Sequence, residues 1–203
     1  MLLRLPAAVI RPIGRTACPL NYSTLAWTKS QLPTINPKPN TVAKPVLFLD
    51  VDGVISLFGF PTEAHDLPGP FHWVDGVAHC ISVDCGPRLE RLAERFELVW
   101  ATGWEEKANE YLPFILKLTF KELPVLTFDG RAVFGSAHWK LEAIEDYAAG
   151  RPAAWIDDNL DEECRAWAQD RSEPTLLIQT RSEVGMLEEH VDELLAWADA
   201  TMP

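Results

Sequence analysis

Cysteines and long apolar runs are both scarce in this chain. Only four of its 203 residues are cysteine, at positions 18, 80, 85 and 164. Cysteines this few and this scattered do not form the disulfide framework of a small secreted domain, which favours a reducing compartment. No stretch approaches the roughly 18 consecutive apolar residues that a membrane helix needs. We therefore expect a cytoplasmic protein without a membrane partner.

Acidic residues are absent from the first 49 positions, which contain six Lys or Arg. The rest of the chain has 12 Lys or Arg and 30 Asp or Glu, a net charge of −18. A body this acidic repels phosphate backbones at long range. The charge argues against a large non-specific nucleic-acid surface on the body itself.

Residues 1–44 show no helical or strand periodicity and are interrupted by prolines. Such a composition predicts a disordered basic tail and linker. A basic, acid-free start is also typical of organellar import peptides, but Pro6, Pro12 and Pro19 interrupt an amphipathic helix. We expect residues 45–203 to form one folded domain, which is long enough to bury a sizeable core.

Apolar, β-rich runs alternate with amphipathic segments along the folded part. We predict strands at 46–50, 98–101, 125–128, 153–156 and 175–178, and helices at 87–96, 105–118, 139–148, 161–169 and 186–198. This alternation predicts an α/β fold with a mostly parallel five-stranded sheet and flanking helices. Prolines and glycines break any long element over 54–86, which we interpret as a flap or small insert after the first strand. Too few residues separate 125–128 from Lys140 for a large cap.

Several polar side chains directly follow these strands or begin a helix: Asp50, Asp52, Thr102, Lys140, Asp157 and Asp158. Each alone has an ordinary explanation, since Asp and Gly favour turns, Thr and Asp cap helices, and lysines are usually exposed. Together they have a further explanation, which is that they form one site, because the carboxyl ends of parallel strands meet at one edge of the sheet. Their joint occurrence favours a metal-dependent, phosphate-handling site.

Two further sets of side chains leave alternatives open. The flap contains His65, His72, His79, Cys80 and Cys85, but their spacing matches no compact zinc finger. Trp104 and Trp139 flank the proposed phosphate residues, so they either line the mouth of the site or pack into the core.

The order acid pair, Thr, Lys, acid pair resembles that of the haloacid dehalogenase (HAD) superfamily of phosphohydrolases. The segments Phe-Leu-Asp-Val-Asp-Gly-Val, ending at Val54, and Trp-Ile-Asp-Asp-Asn, beginning at Trp155, are similar to the small HAD branch found in RNA-repair proteins. The resemblance implies a Rossmann-like HAD fold and a phosphatase activity for residues 45–203. Receiver domains of two-component signalling use similar residues, but they resemble a different order: an acid pair, then a lone phospho-acceptor Asp, then Thr and then Lys. In this chain the pair Asp157 and Asp158 comes last instead.

The resemblance also implies roles for individual residues. Asp50 would be the nucleophile that forms an aspartyl-phosphate, and Asp52 the general acid and base. Thr102 and the backbone amide of Gly103 would hold phosphoryl oxygens at a helix start. Lys140 would neutralise charge on the nucleophile and on the transferring group.

A Mg²⁺ ion is implied by the same resemblance. Its ligands would be Asp50, the main-chain carbonyl of Asp52, and Asp157, with Asp158 either a further ligand or an outer residue that orients the others. The metal would be obligatory, because four carboxylates converge where a dianionic phosphate must bind.

An uncapped site is similar to the sites of family members that act on phosphorylated macromolecules. The substrate that this resemblance implies is a phosphorylated nucleic-acid end or another macromolecule. The enzymatic alternative is a phosphatase of a small nucleotide, a sugar phosphate or another small phosphate ester. The non-enzymatic alternative is a catalytically silent module that binds phosphate or a protein. The sequence identifies no protein partner.

Overall fold

The computed structural model describes residues 43–61, 66–128, 133 and 135–202. The predicted tail, residues 1–44, lies outside this part of the chain except for Ala43 and Lys44, and so does His65 of the flap. None of the helices in the described ranges is long and apolar enough to cross a membrane.

Strands and helices alternate along the chain after the flap, as the sequence pattern predicts, except that, in the described part of the chain, no strand lies between the helices Lys107–Ile115 and Leu141–Ala148. The strands are β1 (Val46–Leu49), β2 (Ser56–Leu57), β3 (Phe71–Val74), β4 (Val77–Ile81), β5 (Glu97–Trp100), β6 (Ala153–Asp157) and β7 (Thr175–Gln179). The helices are α1 (Cys85–Arg95), α2 (Lys107–Ile115), α3 (Leu141–Ala148), α4 (Glu162–Asp170) and α5 (Glu188–Thr201), and a short 3₁₀ helix, His138–Lys140, leads into α3.

The parallel sheet has the strand order β5, β1, β6, β7. β1 is completely buried, because apolar side chains cover it on both faces. Leu47 and Leu49 pack into one core with residues of α1 and α5, whereas Val46 and Phe48 pack into a second core with residues of α3 and α4. The predicted α/β fold with flanking helices is therefore confirmed. The carboxyl ends of β1, β5 and β6 meet at one edge of the sheet.

The sheet in the described part of the chain has four strands rather than the five that the sequence predicts. At 125–128 only Val125 pairs, in an isolated parallel bridge with Trp100. Side chains bond the neighbouring main-chain groups instead. The Asn109 amide bonds both the N–H and the carbonyl of Leu123, at 3.0 and 2.8 Å, and the N–H of Phe128 donates to Glu105 Oε1 at 3.1 Å. A strand continued past Val125 would have to give up the bond of the Phe128 N–H to Glu105.

Helix α2 begins later than the sequence predicts, at Lys107 instead of residue 105. Glu105 has a φ of +48°, in the left-handed region, and this conformation cannot continue a right-handed helix. The segment 101–106 is therefore an irregular loop between β5 and α2. This loop contains the predicted phosphate residues.

The predicted insert at 54–86 contains a small antiparallel sheet with the strand order β2, β4, β3. Asp75 and Gly76 connect β3 to β4 with positive φ values of +49° and +82°, which is the geometry of a two-residue type I′ hairpin turn. Asp75 contacts α2 through Lys107 Nζ at 2.5 Å and the Tyr111 hydroxyl at 3.1 Å. We call this three-stranded unit the flap.

Candidate active site

Asp50 and Asp52 lie where β1 ends and the chain turns towards the flap. Gly53, with a φ of +73°, and the hydrogen bond from its N–H to the Ser56 carbonyl at 2.7 Å form this turn. The Asp50 carboxylate accepts the N–H of Val51 at 2.7 Å and is largely buried. The two acids therefore lie side by side at the carboxyl edge of the sheet.

Lys140 is buried between two carboxylates. Its Nζ lies 2.9 Å from Asp50 Oδ2 and donates to Asp157 Oδ2 at 2.7 Å. The 3₁₀ helix delivers the lysine, and the end of β6 delivers Asp157, which is 1% exposed. Burial alone would lower the pKa of Lys140, but the two carboxylates outweigh burial and raise it. The lysine is therefore held in its charged form.

The three acids Asp50, Asp157 and Asp158 present carboxylate oxygens within 4.8 Å of one another. Burial, followed by repulsion from Asp50, raises the pKa of Asp157 although Lys140 opposes the rise. One ammonium group thus leaves negative charge uncompensated. A divalent cation among these oxygens would offset it, and oxygen ligands of this kind suit Mg²⁺. The donor set therefore fits the ion that the resemblance implies.

Asp158 is held by its neighbours on both oxygens. Ser182 Oγ donates to Oδ2 at 2.6 Å, and Asn159 Nδ2 donates to Oδ1 at 2.6 Å. Gly53 packs so closely that a Cβ there would lie 2.7 Å from the Asp158 Cβ and closer still to its carboxylate. The close approach requires glycine at position 53.

The Asp52 side chain is about half exposed, at 49%. Trp104 Nε1 donates to its Oδ2 at 3.0 Å, and His79 Nδ1 of the flap lies 3.7 Å from its Oδ1. Partial burial, followed by repulsion from Asp50, raises the pKa of Asp52. A raised carboxyl pKa favours the protonated form, which a general acid needs.

Thr102 and Gly103 follow β5 at the same edge of the sheet. Thr102 is completely buried, and its Oγ1 accepts the N–H of Trp104 at 3.3 Å. Gly103 is exposed, and a Cβ there would meet no described atom within 4 Å. The open space at this position therefore lies over the glycine backbone, and the threonine hydroxyl is turned into the loop.

A cavity of about 430 Å³ is lined by most of these residues, namely Asp50, Asp52, Gly103, Lys140, Asp157 and Asp158, but not by Thr102. One part of its wall is formed by the acids and Lys140, and another by the rings of Phe58, Trp104 and Trp139. Phe58 is 49% exposed, whereas Trp104 is 8% exposed and its ring stacks edge-on against His79. Both tryptophans whose position the sequence left open therefore line the cavity and also pack against protein.

The contacts of His79 could not be identified from the sequence. Its Nδ1 lies 2.8 Å from Ser56 Oγ, on the side of the flap that faces Asp52. The motif pattern contains no signal for this contact, because His79 and Asp52 are joined only by the folding of the flap. In the described residues, no group able to hold a metal includes a flap histidine or cysteine.

A comparison with protein-family models matches residues 46–191, well over half of the chain. The matching model is described as the HAD domain in Swiss Army Knife RNA repair proteins. No curated protein matches the chain.

Proposed function

Because the chain belongs to the family of HAD domains in Swiss Army Knife RNA repair proteins, we propose that it is a Mg²⁺-dependent phosphomonoesterase. The reaction would proceed through an aspartyl-phosphate on Asp50. The observation that supports this proposal most is the position of Lys140, whose Nζ is 2.9 Å from Asp50 and 2.7 Å from Asp157 inside an acidic cavity. A buried lysine between two carboxylates forms ion pairs that stabilise the fold. It also places positive charge where a phosphate would enter the cavity.

Asp50, Asp157 and Asp158 are the residues that would hold the Mg²⁺ ion, together with the main-chain carbonyl of Asp52. When bound, the ion would supply positive charge to the phosphoryl oxygens and to the carboxylates. The chain's own contribution at this point is orientation. Asn159 and Ser182 hold Asp158, and Lys140 holds the other two acids.

In the first step, an Asp50 oxygen forms a bond to phosphorus while the bond from phosphorus to the leaving oxygen breaks. The leaving oxygen takes the electron pair of that bond and a proton from Asp52. In the second step, water attacks phosphorus, gives its proton to Asp52 and releases Asp50. Asp52 is therefore returned to its protonated state, and no other reactant is consumed.

The phosphoryl oxygens would be bound by Lys140 and by the loop at 102–103. Lys140 keeps its charge because of its two carboxylate partners. The exposed Gly103 leaves room for a phosphate next to the backbone. Thr102 would act through the shape of the loop, since its hydroxyl bonds the N–H of Trp104.

We propose a phosphorylated nucleic-acid end as the substrate. The cavity combines the charged groups of the acids and Lys140 with the partly exposed ring of Phe58, and aromatic rings stack on bases of any sequence. The acidic body favours the second candidate, a small nucleotide or sugar phosphate, because it repels a long phosphate backbone.

The test begins with phosphate release from 5′- and 3′-phosphorylated oligonucleotides, mononucleotides and sugar phosphates, in Mg²⁺ and in excess EDTA. We expect turnover only with Mg²⁺ and a preference for oligonucleotides. Asp50→Asn keeps the shape of the nucleophile and should lose roughly a thousandfold or more in kcat. Undiminished turnover in EDTA or an unchanged Asp50→Asn rate would refute the mechanism. A preference for mononucleotides or sugar phosphates would select the second candidate.

A further inference from the structure

Both oxygens of the Asp52 carboxylate face residues that lie outside the Asp-x-Asp motif. Trp104 Nε1 donates to Oδ2 at 3.0 Å, and His79 Nδ1 lies 3.7 Å from Oδ1. An indole N–H can only donate, so Oδ2 is fixed as an acceptor. Oδ1 is then the oxygen that remains for exchanging a proton with a substrate.

The two contacting rings also fix each other. His79 and Trp104 meet edge to face, with ring centroids 4.6 Å apart and an angle of 68° between their planes. Ser56 Oγ, on β2 of the flap, lies 2.8 Å from His79 Nδ1. Trp104 is 8% exposed, and the His79 side chain is 17% exposed. Rings that are packed and hydrogen-bonded in this way have little freedom to turn.

The tip of the flap contacts α2. Asp75, in the hairpin turn, pairs with Lys107 Nζ at 2.5 Å and accepts from the Tyr111 hydroxyl at 3.1 Å. Lys107 and Tyr111 lie on α2, the helix that follows the loop of Trp104. These contacts join the strand pair that contains His79 to the helix that follows the loop of Trp104.

We infer that Trp104 and His79 are positioning residues that orient the Asp52 carboxyl for proton transfer to the leaving oxygen. The inference rests on the proposed function. It assigns part of the acid–base step to the flap, since His79 belongs to β4. Neither residue needs to touch the substrate for this purpose.

Leaving-group dependence is the readout that separates orientation of an acid from general structural support. Transfer from the phosphate ester of an alcohol, such as a 5′-phosphorylated oligonucleotide, needs a proton on the leaving oxygen. Transfer from p-nitrophenyl phosphate needs little, because nitrophenolate is a stable anion. The ratio kcat/KM reports the first transfer for both substrates, so the later use of Asp52 as a base does not affect it.

The experiment compares Trp104→Phe, which keeps a ring against His79 but removes the N–H, with the parent protein on both substrates. We expect kcat/KM to fall roughly 10- to 100-fold on the alcohol ester and less than about threefold on p-nitrophenyl phosphate. Trp139→Phe is the matched control, because its indole also lines the cavity but donates to the Ser136 carbonyl. Its losses should be equal on the two substrates.

His79→Ala is the second variant, in case the first does not fold, and should show the same selective loss. Equal losses on both substrates in Trp104→Phe and His79→Ala, or no loss in either, would overturn the inference while Asp50→Asn still tests the proposed function separately. If the parent protein turned over neither ester, the proposed function would be refuted and this inference with it.

Discussion

Substitution of Gly53 by alanine tests the close approach of the β1 turn to Asp158. Gly53 has a φ of +73°, so any alanine there is strained by about 1–2 kcal/mol, the cost of the left-handed conformation. The new methyl group would also overlap Asp158, whose Cβ would be 2.7 Å away. To make room, Asp158 must leave Ser182 Oγ, a hydrogen bond of 2.6 Å. Loss of such a bond to a charged group costs about 1.5–3 kcal/mol more.

Gly59→Ala is the matched control for the backbone strain. Gly59 has a φ of +77°, but a Cβ there would meet no atom of the described residues within 4 Å. We therefore expect Gly59→Ala to lower the free energy of unfolding by about 1–2 kcal/mol and Gly53→Ala by roughly 2.5–5 kcal/mol.

The assay is equilibrium unfolding in urea with EDTA present, so that metal binding does not contribute, followed by Mg²⁺ titration of phosphatase activity. If the parent and both variants have the same m-value, the shifts in their unfolding midpoints report differences in stability. Gly53→Ala alone should also need more Mg²⁺ for half-maximal activity, because Asp158 belongs to the acid cluster. Equal losses of stability in the two variants would refute the argument that Asp158 restricts position 53.

Two further substitutions test the charged contacts. Lys140→Met leaves Asp50 and Asp157 without their cation and should lower the free energy of unfolding by about 3–5 kcal/mol in EDTA at pH 7. Because burial and Asp50 raise the pKa of Asp157, its protonation should make this loss smaller at pH 5. Urea unfolding that shows the same loss at both pH values would contradict this expectation. Asp161→Asn removes the charge that accepts hydrogen bonds from Ser136 Oγ and the N–H of Cys164, and should cost about 1 kcal/mol at pH 7. Burial alone would raise the pKa of Asp161, but these bonds and His138 lower it, so its contribution is full above the unfolded value of about 3.9 and is lost as the pH falls through the lower folded value. In thermal unfolding, the difference in stability between variant and parent should therefore shrink as the pH falls towards the pKa of Asp161 in the folded state. A difference that grows in acid would contradict this expectation.

The parallel sheet could be predicted because its strands are buried on both faces and so read as continuous apolar runs, as at Val46–Leu49. Residues 125–128 are similarly apolar apart from Thr127, but they form only one bridge. Asn109 and Glu105 bond the main chain there, and neither side chain differs in sequence from an ordinary polar helix residue. The competition between a strand partner and a side chain is decided only in three dimensions.

The acids, Lys140 and Gly103 of the candidate site could be located because each follows a strand or begins a helix at one sheet edge. The surroundings of Asp52 could not. Its contacts with Trp104 and His79 span a loop and the flap, and the histidine gave no more signal than its neighbours in the sequence. Periodicity reports which face of an element is apolar, and it contains no information on which polar atoms meet across elements.

The bonds of Asn109 have a consequence for aggregation. A sheet margin with unpaired main-chain groups can recruit a strand from another molecule and seed aggregation. Here the short stretch around Val125 covers β5, since the N–H of Trp100 donates to the Pro124 carbonyl and the Trp100 carbonyl accepts from the N–H of Leu126. The Asn109 amide bonds the N–H and the carbonyl of Leu123 in that stretch. A strand from another molecule could not pair there without displacing these hydrogen bonds.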